Sequence, residues 1–205
     1  MSPGSAWILL LAAAVGYAIG SLSPATWIAR ASGVDLAHEG SGNPGATNTG
    51  RVLGVKYGVL VFVLDLLKGF FPTLAFLLWQ GEVPGLVAGF AAVMGHVTSP
   101  LLRGRGGRGV ATAFGALLAA APSTAAAALV VFVLVALVTR WVALASVLAA
   151  WTVAIAAVAT EIARPESTDE ALVVFSLGIA AVILWRHRDS LSGGWARLRR
   201  GRPDG

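Results

Sequence analysis

Apolar residues run along this chain in long blocks separated by short polar or Pro/Gly punctuation, and the blocks predict helices that cross a membrane. Seven are read: residues 5–28, 53–79, 84–101, 109–121, 123–138, 142–162 and 170–185. The stretch 109–138 is almost unbroken and too long for one crossing of a hydrocarbon core about 30 Å thick. Ala121-Pro122-Ser123 is the plausible turn within it, and merging the two blocks would leave six spans.

Charge placement favours seven. With the N-terminus outside, the cytoplasmic segments hold Arg30, Arg51, Lys56, the cluster Arg103, Arg105 and Arg108, Arg140, and the arginines from Arg186 to Arg202. Of the 15 Lys and Arg, this leaves Arg164 outside and Lys68 within a span, as the positive-inside bias requires. Glu82, Glu161, Glu166, Asp169 and Glu170 fall in the outer loops, and Trp7, Trp27, Trp79, Trp141 and Trp185 lie at segment ends. No Lys or Arg precedes the first span, so it is expected to be retained rather than cleaved as a signal peptide.

Composition agrees. Apolar residues make up 57% of the chain and charged residues 12%, with a mean hydropathy of +0.78. A soluble domain of this size could not hide that much apolar surface. The expectation is an all-α membrane protein: a polytopic bundle of seven transmembrane helices with a cytoplasmic C-terminus, one domain over 1–190 and a basic tail over 191–205. The absence of cysteine excludes disulfides, thiolate metal sites and cysteine acyl-enzymes. The pI of 10.7 and net charge of +5 fit anionic lipid headgroups better than nucleic acid, because the basic residues form small clusters on one membrane face.

Four polar groups stand out against this background, all expected on the cytoplasmic side. The first is Gly40-Ser41-Gly42-Asn43-Pro44-Gly45-Ala46-Thr47-Asn48 with Arg51, whose backbone N–H groups and small side-chain donors suit an anion such as phosphate. The second is Asp65 and Lys68, three residues apart on one helix face, either a neutralised ion pair snorkelling to the rim or a substrate contact. The third is Gly95-His96 followed by Arg103-Gly104-Arg105-Gly106-Gly107-Arg108-Gly109, a basic glycine-rich loop that opens a helix, where the dipole, free N–H groups and guanidinium forks attract phosphate. It lacks the ending of a Walker A loop. The fourth is Arg186-His187-Arg188-Asp189-Ser190.

Taken in order, segment 40–51, Leu64-Asp65-Leu66-Leu67-Lys68-Gly69, Gly95-His96 with the loop through Thr112, Thr139-Arg140-Trp141-Val142 and Arg186-His187-Arg188 resemble the bacterial acyl-phosphate:glycerol-3-phosphate acyltransferase family. The resemblance runs from Gly20 to about Ser190. It implies transfer of an acyl group from acyl phosphate to the 1-hydroxyl of glycerol 3-phosphate, giving lysophosphatidic acid and phosphate for phospholipid synthesis. It implies a multi-pass protein of the bacterial cell membrane with its site facing the cytoplasm, needing no metal or cofactor, and a functional link to an enzyme that makes acyl phosphate.

By position, the resemblance assigns Ser41 and Asn43 to the acyl phosphate or developing oxyanion, and His187 to orienting or deprotonating the glycerol hydroxyl. Arg51, Arg105 and Arg108 are assigned to phosphate, with Thr47, Asn48, Lys68 and Arg140 completing the substrate-binding set. His96 is expected to be structural. Ser41 and Asn43 could alternatively cap the turn, and His187 could be an interface residue. The chain departs from the family pattern at Arg105 and Arg108, where lysines are usual, at Ala143 for serine and at Ser190 for asparagine; Pro24 and Pro100 each come one residue late.

Rival chemistries fail on spacing. The fifth residue after His38, His96 and His187 is Asn43, Leu101 and Ser192, so the His-x4-Asp of acyl-CoA-dependent acyltransferases is missing. There is no Gly-x-Ser-x-Gly elbow and no aspartate cluster for a metal-dependent phosphotransferase. An anionic-metabolite transporter would need polar residues on several spans and paired broken helices in two halves. A non-catalytic lipid-binding paralogue is the remaining alternative.

Overall fold

The computed structural model describes the backbone of residues 3–163 and 170–199, and the side chains of 5–163 and 170–193. Arg164, Glu166, Asp169 and the tail arginines Arg197 to Arg202 lie outside the described side chains. The described residues form α1 (Pro3–Ser21), α2 (Pro24–Ala31), α3 (Ala46–Leu53), α4 (Val55–Gln80), α5 (Glu82–Thr98), a 3-10 turn (Pro100–Leu102), α6 (Val110–Ala120), α7 (Pro122–Thr139), α8 (Val142–Ala163) and α9 (Glu170–Arg199). They include no strand.

Among the described residues, six segments are long and apolar enough to cross a membrane: Ser5–Ala31, Val55–Gln80, Glu82–Leu102, Pro122–Thr139, Val142–Ala163 and Glu170–Gly193. The expected break at Pro122 is present, but α6 has 11 residues and is about 16 Å long, short of a full crossing on its own. The first block is not one helix. Pro24 lacks an N–H and cannot follow an unbroken turn, so α1 stops at Ser21 and α2 begins at Pro24 with Ser23 as its cap, Thr26 N–H donating to Ser23 Oγ at 3.4 Å. The last helix runs through Arg199, past the apolar block that ended at 185, because Arg, Leu and Ala favour helix whether or not lipid surrounds them.

The chain divides into two compact units, residues 1–125 and 126–205. In the first, α1 lies against α5 and α4 against α6 at very close range. A Cβ on Gly16 or Gly20 would overlap the carbonyls of Ala88 and Ala92, and one on Gly95 would overlap that of Tyr17. Gly69 and Gly115 make the same approach between α4 and α6. Lipid-embedded helices gain little from apolar burial against one another, so small residues that let backbones touch supply the packing. In the second unit α8 packs on α9, with Ala145, Ser146, Ala149, Phe175, Ile179 and Ile183 buried. Large apolar side chains remain exposed, among them Leu78 at 78% and Val138 at 83%, as expected for surfaces that meet lipid.

Candidate functional site

The connection from α2 to α3 is a folded loop. Asp35 Oδ1 accepts the Ala37 N–H at 3.1 Å and Asp35 Oδ2 lies 2.9 Å from His38 Nδ1. The Ala37 N–H, and after it His38, hold the exposed Asp35 carboxyl below the usual carboxylate range. Further along, one buried side chain sets the loop's shape. Asn48, 1% exposed, accepts the Ser41 N–H on Oδ1 at 2.8 Å and donates from Nδ2 to the Glu39 carbonyl at 3.0 Å. Gly40, at φ +61°, has no room for a Cβ against Asn48 Oδ1. Beneath the loop, Ala25, Ala29, Leu36 and Val61 form a small core that joins α2 and α4, with Ala46, Val52 and Leu53 of α3 packed on it.

On this base Ser41 is exposed and Asn43 half-buried. Neither caps α3, whose N-cap is Gly45 without a side-chain bond. Thr47 and Arg51, four residues apart on α3, are both exposed and share one face of that helix. Asn48, by contrast, spends its amide on the loop.

The glycine-rich loop works differently from its sequence expectation. Its backbone turns back onto the end of α5: the N–H groups of Gly104, Gly106 and Gly107 donate to the carbonyls of Ser99, Val97 and His96 at 2.9, 3.1 and 3.0 Å. The expected free N–H groups are therefore committed to terminating α5. Two of the glycines are needed for contact, since a Cβ on Gly106 would overlap the His96 carbonyl and one on Gly107 the His96 ring. The loop presents outward the exposed Arg105 and the half-buried Arg108, and leads into α6, whose cap Gly109 has φ +84° and no side-chain bond.

Asp65 and Lys68 are not at the rim. They sit in the middle of the 26-residue α4, about 15–22 Å from its ends, and both are buried, at 3% and 7% exposure. Lys68 Nζ lies 2.9 Å from Asp65 Oδ1 and donates to the Leu22 carbonyl at 2.7 Å. His96 Nδ1 is 3.6 Å from the same Asp65 oxygen. Ser99 Oγ donates to the neighbouring Ser21 carbonyl at 2.6 Å. These donors serve the carbonyls left open where α1 breaks before Pro24, a need that Pro24 signals in the sequence and that the sequence reading overlooked.

In the second unit, Arg140 is exposed at the turn from α7 to α8 with φ +52°; Arg103, in the first, is the other non-glycine with positive φ among the described residues. Ala143, where serine is usual, is buried near the start of α8. His187 is 1% exposed, and its Nδ1 lies 2.8 Å from the Ile183 carbonyl. A carbonyl only accepts, so Nδ1 carries the proton, and in the neutral ring Nε2 is the basic nitrogen. The first unit thus gathers Ser41, Asn43, Thr47 and Arg51 on one loop and helix, places Arg105 and Arg108 on a second loop, and buries Asn48 and Lys68; Arg140 and His187 belong to the second unit. Among the described residues no three His, Asp or Glu side chains are grouped to hold a metal ion.

The family model described as glycerol-3-phosphate acyltransferase matches residues 10–196. Relatives carrying the same name include those of Trichlorobacter lovleyi, 38% identical over 94% of this chain and 94% of the relative, and Listeria monocytogenes, 39% identical over 94% of both. That of Aquifex aeolicus is 39% identical over 86% of this chain and 90% of its own. Two crystal structures of PlsY (YgiH), an integral membrane glycerol 3-phosphate acyltransferase, share the fold over 95% of this chain and 93% of theirs. The glycerol 3-phosphate form gives a TM-score of 0.84 at 37% identity, and the lysophosphatidic acid form 0.82 at 36%.

Proposed function

This chain belongs to the glycerol-3-phosphate acyltransferase family, and from that membership we propose how its residues acylate glycerol 3-phosphate for phospholipid synthesis. The donor is an acyl phosphate. The glycerol 1-hydroxyl attacks its carbonyl carbon, a C–O bond forms, the bond to the phosphate oxygen breaks, and inorganic phosphate leaves while the hydroxyl proton passes to a base. A mixed anhydride has a good leaving group, so alignment and positive charge on the departing phosphate lower much of the barrier without a covalent enzyme intermediate.

The observation that carries this reading is the Asn48-braced loop, which holds Ser41 by its backbone and leaves its side exposed beside the helix that bears Thr47 and Arg51. Ser41 and Asn43 contact the acyl phosphate and the oxyanion that develops on its carbonyl. Arg51 and Thr47 hold one phosphate, Arg105 and Arg108 the other, and Arg140 supports binding of a phosphate headgroup at the rim. His187 has the role that the family resemblance implies, orienting or deprotonating the glycerol hydroxyl, and its ring is oriented by the Ile183 carbonyl. Asn48 and Lys68 move from the substrate set to supporting roles, because both are buried with their polar atoms engaged inside the protein.

The arrangement in the membrane follows from charge. Arg30, Arg51, Arg105, Arg108 and Arg140 are on the cytoplasmic side, the N-terminus is outside, and α6 with its turn at Pro122 returns the chain to the outer side as the seventh membrane-inserted helix. The soluble phosphate substrate reaches this face from the cytosol, and the acyl chain stays in lipid. An enzyme forming acyl phosphate at the same membrane supplies the donor.

Purified protein in detergent, given glycerol 3-phosphate with either acyl phosphate or acyl-CoA, is expected to release phosphate and lysophosphatidic acid with acyl phosphate alone. Folded protein that turns over only acyl-CoA, or neither donor, would refute the donor assignment. Arg51→Ala and His187→Ala each lower kcat/KM about tenfold or more, and Arg103→Ala changes it less than about threefold. Equal mild effects at all three positions would mean that these roles are misassigned.

A further inference from the structure

We propose that the buried Asp65–Lys68 pair is a positioning device, one centre that sets the geometry of both loops assigned to substrate in the first unit. A charged pair halfway along a membrane helix is costly to bury, and its own attraction is weak evidence that it stabilises the fold. What it touches gives it a use. On one side Lys68 holds the Leu22 carbonyl at 2.7 Å, at the break from which α2 leads directly into the loop of Ser41. On the other, Asp65 Oδ1 lies 3.6 Å from His96 Nδ1. The His96 carbonyl takes the Gly107 N–H at 3.0 Å and its ring fills the space a Cβ on Gly107 would need, so a shift of His96 moves the loop of Arg105 and Arg108.

Ser99 closes the circuit. Its hydroxyl donates to the Ser21 carbonyl at 2.6 Å, and its own carbonyl accepts the Gly104 N–H at 2.9 Å. The break in the first span and the start of the glycine-rich loop are therefore tied twice, once through Lys68–Asp65–His96 and once through Ser99. Asp65 and Lys68 act through the segments they hold.

This inference rests on the proposed acyl transfer for its kinetic readout only. Wild-type, Lys68→Arg, Lys68→Met and the double variant Asp65→Leu/Lys68→Met are compared in detergent by melting temperature, by amide hydrogen exchange and by kcat and KM. The double variant leaves no unpaired buried charge. It is expected to melt near wild-type while peptides covering 33–45 and 99–109 both exchange about tenfold faster, with α8 unchanged. Its kcat falls about tenfold. Lys68→Arg keeps the charge and a donor but puts a larger, planar group in a buried site, and is expected to fall between wild-type and the double variant in both readouts.

Wild-type exchange in both peptides of the folded double variant, or acceleration in only one of them, overturns the coupling. If the double variant does not fold, Lys68→Met, which removes the donor to the Leu22 carbonyl, must speed exchange in both peptides; no change there also overturns it. A wild-type protein without acyl transfer would refute the functional reading, while the exchange data would still decide the coupling.

Discussion

Asn48 shows how a residue of the candidate site can act without meeting substrate. Its amide satisfies a donor and an acceptor of the loop, so Asn48→Ala leaves Ser41 N–H and the Glu39 carbonyl without it and costs about 1–3 kcal/mol. The expected result is a lower melting temperature together with about a tenfold fall in kcat. Asn48→Ala that melts lower but turns over at the wild-type rate would show that the loop's shape does not matter to the reaction. Asp35, at the other end of the loop, has a carboxyl held below its ordinary value, so what it contributes is complete above the carboxylate range and is lost only as pH falls through the lowered value. Acid-side loss of activity above that range therefore belongs to another group. The sequence marked Asn48, Ser41 and Arg51 alike as polar residues in a polar segment. Burial separates them, and burial depends on Val61 and Leu36, which only the fold brings beneath the loop.

At the scale of elements, hydropathy and proline were enough to find α4, α5, α7 and α8 and to separate α6 from α7 at Pro122, because lipid selects long apolar helices and proline interrupts them. They missed the split of the first block into α1 and α2, since its apolar character continues through the break, and they ended α9 early. In the glycine-rich loop the N–H groups of Gly104, Gly106 and Gly107 bond to the end of α5: glycine permits close contact with α5 as well as approach of a ligand, and composition alone does not tell the two apart. Two substitutions separate them. Gly104, at φ +78°, has open space around a Cβ, so Gly104→Ala carries only backbone strain of about 1–2 kcal/mol. Gly107→Ala forces the His96 ring aside and is expected to cost about 1–3 kcal/mol and to lower kcat/KM about tenfold more than Gly104→Ala does. Equal effects of the two on turnover would show that the fit against His96 is unimportant.

Over the whole molecule, the run of basic clusters along the chain predicts which side of the membrane each turn occupies, and the lack of cysteine makes that easy to read. Single cysteines introduced at Ser32, Gln80 and Ser123 would be probed in intact cells with a membrane-impermeant maleimide. Labelling is expected at Gln80→Cys and Ser123→Cys and only after lysis at Ser32→Cys. Protection of Ser123→Cys would place the Pro122 turn inside and reduce the crossings to six; labelling of Ser32→Cys in intact cells would invert the whole arrangement. The order of assembly is also written into the first span. The carbonyls of Ser21 and Leu22 find their donors 78 and 46 residues later, in Ser99 and Lys68. The ribosome thus delivers a first span whose break stays without these donors until Ser99, just past α5, has been made, so the span cannot complete its own hydrogen bonding when it first enters the membrane.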